Sequence, residues 1–165
     1  RRAARGLYSR RLAGGRHRFH NCSSRVLMKG GAYMRRGAKI LVADDDPAVR
    51  HMLWSVLSMA GYEVVLVEDG KSAVEKTQTE KPDLVLTDGL LPRLHGFLVC
   101  KTIKSFPDPP KVFVLTGVYT KPTYGWEVKS EYGADVFLTK PFDIEELLSR
   151  IADQLRNVGR GEAAA

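Results

Sequence analysis

Five short apolar runs recur along this chain, and the segments between them carry helical spacing. The runs are Lys39–Ala43, YEVVLV at 62–67, LVLT at 84–87, KVFVL at 111–115 and VFLT at 136–139. Pro47 suits the first turn of a helix, and beyond it Val49, Met52, Leu53, Val56, Leu57 and Ala60 repeat at helical intervals. Gly61 ends that helix. Gly70 opens a second one, through Ala73 and Val74 to about Thr79, and Pro82 breaks it. A third helix is expected from Gly96 to Ser105, before the PDPP loop at 107–110. Asp143 is placed to cap a last helix, EELLSRIADQLR. Near-continuous apolar strands alternating with amphipathic helices predict an α/β domain: a doubly wound, five-stranded parallel sheet covered on both faces.

In such a sheet, ligands bind outside the carboxyl ends of the strands, at the point where strand order reverses. The residues at those ends are therefore the informative ones. Asp44, Asp45 and Asp46 follow the first run, Asp88 the third, Thr116 the fourth and Lys140 the fifth. Adjacent like charges are unfavourable unless a cation or partner compensates them. Asp46, next to Pro47, has a simpler reading as a helix N-cap. For Asp44 and Asp45 the alternatives are a turn that favours Asp or a cation site. Clustered carboxylates suit a small hard cation such as Mg²⁺. A carboxylate can also act as a nucleophile and form an aspartyl-phosphate. Phosphoryl transfer asks for an in-line nucleophile and positive charge around the transferred oxygens. Asp88 as nucleophile, Asp44 and Asp45 with Mg²⁺, Lys140 as clamp and Thr116 as hydrogen-bond donor make a complete set.

The net charge of +7 is unevenly distributed. Residues 1–36 hold 11 of the 26 Lys/Arg and no acid, while residues 37–165 hold 15 against all 19 Asp/Glu, a net of −4. The first 36 residues lack apolar periodicity and are rich in Arg, Gly and Ser, so they read as a disordered basic segment. Three origins fit: a nucleic-acid arm, an Arg-rich transit peptide, or sequence upstream of the true start. Lys29-Gly30-Gly31 has purine-rich codons that can spell a ribosome-binding sequence, which makes Met34 the expected first residue. The folded domain is then 37–158 and the flexible tail 159–165. Cys22 and Cys100 lack metal-ligand spacing and form no disulfide framework. No apolar run reaches the roughly 18 residues of a membrane span. A cytoplasmic, membrane-free protein is the expectation.

The stretches ILVADDDPAVR, PDLVLTDGLLPRLHGF, VFVLTG and GADVFLTKPF, in this order, resemble the receiver domain of two-component response regulators. The resemblance runs from about Lys39 to Arg156. It implies a flavodoxin-like (βα)5 fold and a phosphoacceptor module that uses Mg²⁺. By position, Asp45 is the direct metal ligand and Asp44 acts through water. Asp88 is the phosphoacceptor and a metal ligand, and Leu90 offers its backbone carbonyl to the metal. Thr116 and Lys140 contact the phosphoryl group. Phe137 sits at the aromatic switch position that moves with Thr116, although an aromatic in an apolar strand is also ordinary core. The Lys140–Pro141 bond is implied to be cis.

The chain departs from the pattern at His95, where Asp is frequent, and at Gly117, where Ala is commoner. The segment 117–134 is slightly longer than usual and carries Tyr119, Tyr124, Trp126 and Tyr132, which read either as satellite core or as a docking patch, with docking the expectation because loops carry function. The resemblance implies a histidine kinase or phosphotransfer protein as donor and a downstream protein partner. That partner would read a face made of the last helix, the fifth strand and the segment before it. Such a module catalyses only its own phosphorylation and dephosphorylation. With nine residues after Arg156, the expected form is a stand-alone receiver, a phosphorelay intermediate or a fragment of something larger. Two rivals stand beside it. One is an interaction module of the same fold that works without phosphorylation. The other is a nucleic-acid binder acting through the Arg-rich arm, although the domain itself has no base-reading element. A dinucleotide site would need a Gly-rich loop after the first strand, and the sequence has none there.

Overall fold

A computed structural model describes residues 25–27, 33–35, 37–117 and 130–157. In chain order the elements are β1 (Arg25–Leu27), β2 (Tyr33–Arg35), β3 (Lys39–Ala43), α1 (Pro47–Met59), β4 (Glu63–Val67), α2 (Gly70–Glu80), β5 (Leu84–Asp88), α3 (Gly96–Lys104), β6 (Lys111–Thr116), β7 (Val136–Thr139) and α4 (Ile144–Asn157). Residues 130–132 are also helical. Tyr119, Tyr124, Trp126 and the tail 159–165 lie outside the described residues.

Strands β3 to β7 form one parallel sheet in the order β4-β3-β5-β6-β7. This is the doubly wound, flavodoxin-like arrangement that the alternating apolar runs and the resemblance imply. Order reverses at β3, which pairs with β4 on one side and β5 on the other.

Side chains alternate across a strand, and the two faces of the sheet separate accordingly. On one face Ile40, Val42, Leu84, Leu86, Phe113, Leu115, Val136 and Leu138 pack with Leu53 and Leu57 of α1 and with Leu147, Ile151 and Leu155 of α4. On the other, Leu41, Ala43, Val85, Val112 and Val114 pack with Ala73 of α2 and with Val99, Cys100 and Ile103 of α3. Burial on both faces is the reason the inner strands β3, β5 and β6 are apolar throughout rather than at every second residue, whereas the edge strand β4 leaves Glu63 and Leu66 exposed. Polar groups are confined to the strand ends, and the site forms there.

Local signals set the helix starts. Asp46 is the N-cap of α1 and accepts from Ala48 N at 2.8 Å, with Pro47 in the first turn. Asp69 caps α2 through Ser72 N at 2.9 Å. Asp143 accepts from Glu146 N at 2.9 Å at the head of α4.

Two short antiparallel strands, β1 and β2, occur inside the segment read from sequence as disordered, with Val26 opposite Met34. β2 lies beside α4. Backbone hydrogen bonding needs no apolar periodicity, so the side-chain pattern carried no sign of this pair. Among the described residues, no helix is long and apolar enough to cross a membrane.

Candidate functional site

β3 and β5 are neighbours at the reversal of strand order, so their ends place Asp44 and Asp88 side by side. The chain that leaves β7 brings Lys140 over both. Its Nζ lies 2.6 Å from Asp44 Oδ2 and 2.6 Å from Asp88 Oδ2. The Lys140–Pro141 peptide is cis. Carboxylate oxygens of Asp44, Asp45 and Asp88 all lie within 4.8 Å of one another.

Asp44 is buried and held at both ends of its side chain and main chain. Its Oδ1 accepts from Asp46 N at 3.0 Å, and its own N–H donates to Val67 O at 3.3 Å. Burial pushes the Asp44 carboxyl above its ordinary range, against the opposing pull of the Lys140 ammonium. Burial works to lower Lys140, but its carboxylate partners outweigh it and hold the ammonium above its usual value. Asp45, by contrast, is exposed, and its carboxylate makes no hydrogen bond or ion pair among the described residues.

Asp88 Oδ1 accepts from Leu90 N at 2.9 Å, which ties the turn after β5 to the carboxylate. The start of α3 presses against the same strand end. A Cβ on Gly96 would fall 1.6 Å from Asp88 O, so only glycine admits this approach. Gly96 N also donates to Gly89 O at 3.1 Å.

Thr116 ends β6 and is fully buried. Its Oγ1 flanks Gly89, the residue after Asp88, at 3.0 Å from where a Cβ would stand. Its carbonyl accepts from Lys140 N at 2.7 Å, so the two residues share one strand-end junction. Phe137 is half-buried in β7, opposite Val114, and packs on the α2/α3 face. It lies two positions before Thr139, the register partner of Thr116. The structure thus gathers Asp44, Asp45, Asp88 and Lys140, sets Thr116 beside them, and leaves Phe137 further down the sheet. His95 is exposed at the start of α3, with no side-chain cap bond.

All donors in the cluster are hard oxygens, which fits Mg²⁺ better than a soft or thiolate-seeking metal. Sequence reasoning passed over Arg50, whose Nη1 donates to Asp44 O at 2.6 Å. The only signal was a charged residue early in an apolar-periodic helix.

Comparison with known proteins agrees with this geometry. The family model for the response regulator receiver domain matches residues 40–152. The response regulator MprA of Mycolicibacterium vanbaalenii is 41% identical over 132 residues, covering 77% of this chain and 56% of its own. The chain spans about half the length of the curated relatives it matches. A putative response regulator from Chloroflexus aurantiacus superimposes with a TM-score of 0.67 at 32% identity, covering 73% of this chain and 99% of its own. The receiver domain of a Francisella response regulator gives 0.70 at 27%, with 74% and 99% covered. Sequence and fold agree, and the chain belongs to the response regulator receiver domain family of two-component signalling.

Proposed function

We propose that this receiver domain takes a phosphoryl group on Asp88 from a histidine kinase or a phosphotransfer protein. The observation that carries the reading is Lys140 Nζ at 2.6 Å from both Asp44 and Asp88, with Asp45 unpaired beside them. Three clustered carboxylates, two of them paired with one ammonium, form a site that tolerates further positive charge and favours an anion only when that charge is present.

An Asp88 carboxylate oxygen attacks the phosphorus of a phosphohistidine. The P–N bond breaks, and the released imidazole nitrogen takes up a proton. Lys140 pairs with the transferred oxygens, and Thr116 donates its hydroxyl hydrogen to them. Asp45, Asp88 and the Leu90 carbonyl would hold Mg²⁺, with Asp44 acting through water, and the ion would supply positive charge beside the transferred group. Later, water attacks the phosphorus, the bond to Asp88 breaks, and inorganic phosphate leaves. Thr116 and Phe137 move together in the phosphorylated state, which shifts a conformational equilibrium that a protein partner reads. In this reading residues 37–158 are the signalling unit, and the acidic domain makes no direct DNA contact.

The test is intact mass after incubation with a small phosphodonor, with and without Mg²⁺, on wild type and Asp88→Asn. The expected result is a Mg²⁺-dependent, base-labile single phosphoryl adduct that Asp88→Asn lacks. No adduct with any donor or metal would favour the interaction module that works without phosphorylation.

A further inference from the structure

We infer that Arg50 is a positioning residue for the cation site, acting through the peptide that joins Asp44 to Asp45. This rests on the reading of the acidic cluster as a Mg²⁺ site. Arg50 lies one turn into α1. Long side chains on a helix lean back toward its N-terminus, and this one reaches the end of β3. Its Nη1 donates to Asp44 O at 2.6 Å, and its side chain is only 17% exposed. Nη2 stands 3.9 Å from Glu68 Oε2, which is exposed and a weak partner.

The target atom matters. Arg50 could neutralise the acidic cluster by pairing with a carboxylate, yet it bonds to a main-chain carbonyl and leaves the carboxylates to other groups. Asp44 is then held at four points: N by Val67 O, O by Arg50, Oδ1 by Asp46 N and Oδ2 by Lys140. Asp45 has no side-chain partner among the described residues, so its direction follows from the peptide before it. Bracing that peptide aims the Asp45 carboxylate at the space shared with Asp44 and Asp88.

Positioning and plain electrostatics predict opposite signs. A guanidinium near a cation site repels the cation, so its removal by charge alone would tighten Mg²⁺ binding. Loss of the brace would weaken it. The experiment is an MgCl₂ titration followed by the backbone amide resonances of Asp45, Asp46 and Gly89, on wild type, Arg50→Ala and Arg50→Lys. The expected result is an Arg50→Ala midpoint about tenfold higher, in keeping with a lost charge-assisted hydrogen bond, with Arg50→Lys between the two. Equal or tighter binding by Arg50→Ala overturns the inference and leaves the Mg²⁺ site standing. No Mg²⁺-dependent shift in wild type overturns the site reading and the inference with it. If Arg50→Ala does not fold, Arg50→Gln carries the same comparison.

Discussion

Lys140 and Asp88 are 52 positions apart in sequence, and their charged atoms meet at 2.6 Å. The same ammonium is shared with Asp44. Lys140→Met should leave two neighbouring carboxylates without their counter-charge and the phosphoryl oxygens without a partner. We expect Asp88 phosphorylation from a small donor to slow by about 100-fold. Rapid-quench mass spectrometry at saturating Mg²⁺ measures it, and a rate near wild type would remove Lys140 from the chemistry.

Asp44 makes stability depend on pH with a definite sign. Its carboxyl titrates above the ordinary 3.8 because it is buried. The folded state therefore keeps a proton that the unfolded chain has already lost, so stability falls as pH rises from 3.8 through the raised value. Asp44→Asn should lack this fall. Urea midpoints in metal-free buffer should shift in favour of the variant across that window, and parallel curves would contradict the assignment.

Asp135 predicts the reverse. Burial raises its carboxyl, but Lys104, the Val112 amide and Lys111 outweigh burial and hold it below 3.8. Its Oδ1 pairs with Lys111 Nζ at 3.1 Å and its Oδ2 accepts from Val112 N at 2.8 Å, so it ties the start of β7 to β6 and α3. The stability it contributes is present above 3.8 and is lost as pH falls through the lowered value. Asp135→Asn should be less stable at pH 7 by roughly 1–3 kcal/mol, and the gap should close in strong acid. Denaturation curves at the two pH values decide it.

Gly96 fixes how closely α3 approaches the end of β5 that carries Asp88. A Cβ there would collide with Asp88 O at 1.6 Å. The obstacle is backbone, so relief requires α3 or the end of β5 to move. Gly96→Ala should cost about 2 kcal/mol or more and lower phosphoryl uptake, because Asp88 shifts with its own carbonyl. A variant with wild-type melting temperature and uptake would show that the loop relaxes freely.

Much of this molecule was legible in the chain. Apolar runs bounded by Gly and Pro marked every strand of the parallel sheet, and the inner ones are apolar throughout because both of their faces are buried. Asp46 and Asp143 announced helix starts, because a short acceptor before a helix satisfies free N–H groups locally. Asp44, Asp45, Asp88, Thr116 and Lys140 were legible as strand-end residues, since a doubly wound sheet gathers polar groups there.

What sequence alone left undecided depends on distance in space. Which strands adjoin is set by packing between segments dozens of residues apart, and only the order β4-β3-β5-β6-β7 brings Asp44 and Asp88 together under Lys140. The face on which Phe137 lies follows from register against β6, where one residue's slip would reverse it. The β1/β2 pair rests on main-chain hydrogen bonds that leave no side-chain signature. Arg50 looked like one more charged helix residue until the fold set its guanidinium on a carbonyl six residues earlier. Local pattern determined the elements and the polar strand ends; long-range packing decided which charges meet, because electrostatic contact depends on separation in space and not along the chain.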